Sequence, residues 1–144
     1  MRWLLLPGLI VAAFFLPIQE DATKKDLTAM QGTWTLVSME VDGKAVEADK
    51  LKSTTLTIKD SKYTLLARQQ QHEVELTLDP SKTPKAVDMK FLDGPNKDRV
   101  GRGIYQIEGK TLKICRGLDP QQDRPESFKT QGQINCFVMV WDRE

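Results

Sequence analysis

The residue type most often used for proton transfer and metal binding occurs once, as His72 in the polar run Gln69-Gln70-Gln71-His72-Glu73. A zinc centre needs three or four converging His, Cys, Asp or Glu ligands, and the neighbourhood of one histidine does not supply them. No metal and no cofactor is expected. A Ser-His-Asp arrangement would have to use the same His72, and no serine sits in a Gly-x-Ser-x-Gly turn. No glycine-rich loop opens a helix to cradle phosphate. Glu73 and Glu75 would lie on one face of a strand with Cα atoms about 6.8 Å apart, inside the span of roughly 5 to 9.5 Å used by glycosidases. Alternation with Val74 and Leu76 gives any solvent-facing row that spacing, so no catalytic residue is assigned and an enzyme is not expected.

The two cysteines, Cys115 and Cys136, carry the remaining reactive chemistry. In an oxidising compartment they would bridge, closing a loop of roughly 20 residues and stabilising by about 3 kcal/mol in the chain-entropy model. The bridge requires Cys115 opposite Cys136 in an antiparallel pair, with Lys113 facing Val138 and Thr111 facing Val140. A strand over Ser127 to Thr130 between them would put the sulfurs out of reach. The alternative is two buried thiols acting as small hydrophobes.

The elements that would position these groups are strands. Val74, Leu76 and Leu78 alternate with Glu73, Glu75 and Thr77, and the same period of two recurs at Leu56 and Ile58 and at Val87, Met89 and Phe91. Turn residues punctuate the alternation at Asp42-Gly43, Asp60-Ser61, Asp79-Pro80, Asp93-Gly94-Pro95-Asn96, Glu108-Gly109 and Gly117-Leu118-Asp119-Pro120. Between them the pattern predicts nine strands. These are Thr33 to Val41, Thr54 to Lys59, Lys62 to Arg68, Glu73 to Leu78, Ala86 to Leu92, Gly103 to Ile107, Thr111 to Arg116, Ser127 to Thr130 and Gln133 to Trp141. One short helix is expected over Glu47 to Lys52 as a plug or lid. The fold class is all-β. A single antiparallel up-and-down barrel of eight or nine strands resolves the exposed edges best, with a sandwich as the second architecture.

The N-terminal stretch reads differently. Arg2 is its only charge, and an apolar run extends from Trp3 to Leu16, interrupted by Pro7 and Gly8. This is the layout of a secretory signal, and about 14 apolar residues fall short of the roughly 20 that span a bilayer. Export to a periplasmic or extracellular space is expected, with an uncleaved anchor as the alternative. No cysteine directly follows the run, which excludes a lipidated N-terminal cysteine. Residues 1–22 are assigned to the signal and the start of a leader, Glu20 to Leu27 is read as flexible, and residues 27–144 form the domain.

The 144 residues less that segment leave roughly 120, enough for one core. Setting aside Arg2 leaves 20 basic against 20 acidic residues. Lys82, Lys85, Lys97, Arg99 and Arg102 gather loosely near one pair of loops, but Asp88, Asp93 and Asp98 sit among them. Mixed signs of this kind cancel beyond a Debye length of about 8 Å, so no nucleic-acid partner is expected.

Gln31-Gly32-Thr33-Trp34 opens the first strand. Glycine lets the chain bend into the sheet there, and the tryptophan can plug a barrel end; in lipocalins a basic side chain from the last strand stacks on such a tryptophan, and a resemblance to them makes Arg143, just past Trp141, the candidate. Further landmarks are Glu40-Val41-Asp42-Gly43-Lys44, Asp79-Pro80-Ser81-Lys82-Thr83-Pro84-Lys85, Gly94-Pro95-Asn96-Lys97, Gly103-Ile104-Tyr105, Leu112-Lys113-Ile114-Cys115 and Asp123-Arg124-Pro125. Over roughly Leu27 to Arg143 the chain resembles a lipocalin-like domain family of unknown function expanded in planctomycete bacteria. The resemblance implies the fold and a signal sequence, and implies no activity.

Two roles follow from these residues. In one, the barrel holds a small apolar molecule against Leu56, Ile58, Val74, Leu76, Met89, Phe91 and Tyr105. In the other, the interior is packed and the loops contact an envelope protein. The chain is expected to be a monomer without a stable membrane span after signal cleavage.

Overall fold

Period-two patterning yields strands because alternate side chains share a face, and each apolar row must then be covered. The structure, a computed structural model, describes residues 18–133 and 135–144. The expected signal segment lies outside them. Helix α1 (Ile18–Met30) precedes strands β1 (Gly32–Val41) and β2 (Lys44–Ala45), then helix α2 (Ala48–Leu51). Strands β3 (Thr55–Lys59), β4 (Lys62–Ala67), β5 (Gln70–Asp79), β6 (Ala86–Phe91), β7 (Val100–Glu108), β8 (Thr111–Gly117) and β9 (Cys136–Arg143) follow. All neighbours pair antiparallel in chain order from β3 to β9, and β9 pairs back onto β1, which also pairs with β3. Eight strands therefore close into an up-and-down barrel, and β2 adds a short ninth strand beside the end of β1. Among the described residues no helix is long and apolar enough to cross a membrane.

The inward rows form one core that includes Trp34, Leu56, Ile58, Leu76, Leu112 and Trp141. On the outer face a second cluster of Ile104, Cys115 and Val138 is covered by Phe128, from the connection between β8 and β9. That connection is where the expected strand Ser127 to Thr130 fails. Phe128 finds its apolar partners on the outside of the wall, β8 pairs directly with β9, and the segment carries no ladder. Arg124 straps it down, donating to the carbonyls of Val87 and Gly103 at 3.0 and 2.8 Å and to Asp88 at 2.7 Å.

The direct β8–β9 pairing also corrects the disulfide expectation. Cys115 lies opposite Val138 and Cys136 opposite Gly117, a register two residues away from the one a bridge requires. The sulfurs are diagonal neighbours on the outer face and are not bridged. Burial is the main cause that pushes the Cys115 thiol up to about 12, with Cys136 and Glu40 adding to it.

A further correction concerns residues 20–27, expected to be flexible. They belong to α1, whose last turns face the barrel base. Asp26 and Met30 are buried four residues apart, and a charge at the centre of the buried stripe hides its helical period. Asp26 accepts the Tyr105 hydroxyl at 2.7 Å and the Lys85 ammonium at 2.9 Å. The Trp34 indole donates to the Met30 carbonyl at 2.9 Å. The Arg143 guanidinium stacks 4.3 Å from the Trp34 ring and donates to the carbonyls of Ala29 and Gln31. α1 thus seals the end where β1 begins and β9 ends.

Two outcomes are expected. Arg143→Ala lowers the unfolding free energy by about 2–4 kcal/mol in urea titrations, because a stacked cation and charge-assisted hydrogen bonds are lost together, and Arg143→Lys restores only part of it. Thiol counting with a chromogenic disulfide reagent finds slow reaction in the native protein and two thiols per chain after denaturation. A count of zero would mean the register described above is wrong.

Candidate ligand-binding site

The end opposite α1 is hollow. A cavity of about 290 Å³ opens there, lined by Tyr63, Leu65, His72, Val74, Met89, Phe91, Ile114, Arg116, Phe137 and Met139, with residues 93–96 of the β6–β7 connection at its rim. Strand direction sorts these side chains by depth. β6 ends at Phe91, β8 carries Arg116 one residue before its end, and β9 has Phe137 one residue after its start. These three form an outer ring. Met89, Ile114 and Met139 lie two residues further from the mouth and form an inner apolar one.

Arg116 points inward because it continues the row of Leu112 and Ile114, while Lys113 and Cys115 take the outer face. Two glycines opposite make room for it. A Cβ on Gly101 would stand 3.4 Å from the Phe91 ring and 3.7 Å from Arg116 Cδ. One on Gly103 would press to 2.7 Å of the Cys115 carbonyl oxygen and 3.1 Å of Arg116 Cβ. The guanidinium carbon lies 4.6 Å from the Phe137 ring centre and 5.3 Å from that of Phe91. Nη1 donates to the Gly117 carbonyl at 3.0 Å. Among the described residues no carboxylate forms an ion pair with Arg116. Burial pulls its pKa below the usual arginine value, and the Tyr63 phenol partly restores it.

Asp93, at the rim, is directed elsewhere. One oxygen accepts the Glu73 amide at 3.0 Å, and the other lies 3.6 Å from His72 Nδ1. Among the described residues the lining beside this pair includes no serine, threonine, cysteine or lysine. Glu73 and Glu75 do not meet the cavity; Glu73 lies 3.7 Å from Lys62 on the outer face.

All seven residues expected to line a pocket belong to inward rows, but they divide. Val74, Met89 and Phe91 line the cavity, whereas Leu56, Ile58, Leu76 and Tyr105 pack in the sealed part of the core. Tyr105 is drawn to α1, where its hydroxyl is committed to Asp26. Tyr63, Leu65, Ile114, Arg116, Phe137 and Met139 were not singled out in the sequence. The signal for Arg116 was present in the alternation Leu112, Ile114, Arg116, an apolar row that ends in a cation.

No family model, curated protein or solved structure matches the chain.

Both tyrosines of the chain titrate late. Burial, only partly offset by Arg116, pushes Tyr63 up to about 12. Burial first, then the hydrogen bond to Asp26, moves Tyr105 higher still. Unfolded phenols ionise near 10, so above that pH the unfolded chain releases protons that the folded chain retains. The contribution of Tyr63 is fully present below about pH 10 and is lost as pH rises toward about 12. An ultraviolet phenolate titration of the native protein should show no transition near 10, followed by a cooperative one when the barrel unfolds in alkali. A normal transition near 10 for either phenol would contradict its burial.

Proposed function

We propose that this barrel binds a small molecule with an apolar body at its open end and works as a binding protein rather than an enzyme. The observation that carries this reading is the unequal filling of the interior. Side chains pack the base completely around Trp34 and Trp141, yet leave about 290 Å³ at the mouth, at the small end of the range of ligand pockets. The lining combines apolar and aromatic side chains with a few polar groups, the usual composition of a specific small-molecule site. The apolar segment from Trp3 to Leu16 supports export.

The test uses N-phenyl-1-naphthylamine, a neutral probe that fluoresces in apolar surroundings. The protein should bind it in the micromolar range, and Met139→Trp, which fills the inner ring with an indole, should weaken binding by about tenfold or more while the barrel remains folded by circular dichroism. Absence of probe binding to the unaltered protein, or equal binding by the filled variant, would remove the cavity as the site.

A further inference from the structure

The charge inside the mouth narrows the class of ligand. A guanidinium has five N–H donors and remains protonated in proteins, so a buried one calls for acceptors. Among the described residues Arg116 has one acceptor, the Gly117 carbonyl, and two aromatic rings within cation–π range. Its other nitrogens are not sealed off. Among the described residues the only side-chain nitrogen or oxygen both fully buried and without a partner is the Trp141 indole nitrogen. The remaining Arg116 donors are therefore accessible, on a side chain that lines the cavity. The carboxylate in the described lining, Asp93, is engaged by His72 and the Glu73 amide. Val74, Met89, Ile114 and Met139 form the apolar part of the wall, with the Tyr63 phenol beside them.

We propose that the ligand is a short single-chain amphiphile with an anionic head, held at Arg116 near the mouth, its tail running inward against Val74, Met89, Ile114 and Met139. This rests on the binding reading above. Water-sized groups occupy about 30 Å³ each, so a cavity of about 290 Å³ takes roughly ten of them, the scale of a medium-length chain. The two rings flank the guanidinium and leave its donors for a carboxylate, sulfate or phosphate oxygen, the charge-assisted pairing at which arginine excels.

The experiment displaces N-phenyl-1-naphthylamine from the protein with four ten-carbon competitors: decanoate, decyl sulfate, 1-decanol and decylamine. At least one anion should compete about tenfold or more better than the alcohol, with the amine weakest, and the better anion identifies the head. In Arg116→Met the anions should lose that advantage while the alcohol changes less than about twofold. Arg116→Lys, which keeps the charge but not the planar fork, should retain part of the advantage. The melting temperature of Arg116→Met should stay the same or rise, since the charge it removes has no ion-pair partner; this separates a ligand-binding role from a structural one. Equal competition by alcohol and anions in the unaltered protein overturns the proposal without any variant and leaves the cavity reading intact. Failure of the probe itself to bind overturns both.

Discussion

The contact between Trp34 and Arg143 holds the two ends of the fold together. A barrel must join its first strand to its last, and in this one Trp34 and Arg143 are register partners across that seam. The indole is fully buried and supplies area, while the guanidinium covers its face and satisfies carbonyls at the end of α1 that no further helical turn can use. The same contact explains the glycine before it. Gly32 has φ +120°, and a Cβ there would stand 3.1 Å from Arg143 Nη1. Strand closure, helix docking and the sealed base thus meet at one stacked pair.

A sealed base allows an incompletely filled mouth. Apolar burial is concentrated where α1 covers the interior, and the cavity end contains features that do not favour folding: an inward cation without a carboxylate partner and two glycines where side chains would otherwise pack. Such local departures from good packing are tolerated when the rest of the molecule supplies the stability, and they collect at sites of function.

The barrel is readable because alternation and flanking turns announce all eight closing strands: β1, β3, β4, β6 and β8 within one residue of the observed limits, while β5 and β7 begin three residues earlier than expected and β9 three residues later. What sequence could not show was packing across space. The helical stripe of α1 is hidden by Asp26, whose burial makes sense only beside Tyr105 and Lys85. Ser127 to Thr130 reads as a strand from the turns around it, whereas Phe128 finds its apolar partners, Ile104, Cys115 and Val138, on distant strands. The cysteine register depended on a two-residue choice that alternation cannot make, since either choice keeps both sulfurs on the same face. Within the candidate site, inward direction was legible for Val74, Met89 and Phe91, but which inward residues border space and which border one another is a property of the closed barrel. Arg116 lay in plain view at the end of an apolar row, and its meaning appeared only when the row turned inward.

The connections around the mouth add a kinetic dimension. Thr130 accepts from the Gly43 amide at 2.8 Å and donates to Glu40 at 2.5 Å, lacing the β8–β9 connection to the β1–β2 turn. On the other side, Asp93 joins the β6–β7 connection to β5 through the Glu73 amide. The β8–β9 connection is also tied across to β6 and β7, by Arg124 and by the Gln121 amide donating to the Val100 carbonyl at 3.1 Å, so the rim is stitched on several sides. For a guest of the kind proposed above, passage asks only that these rim bonds loosen, a loop motion of nanoseconds to microseconds, without any strand leaving the wall. Residence time in such a vessel is set by its stitching as much as by its lining.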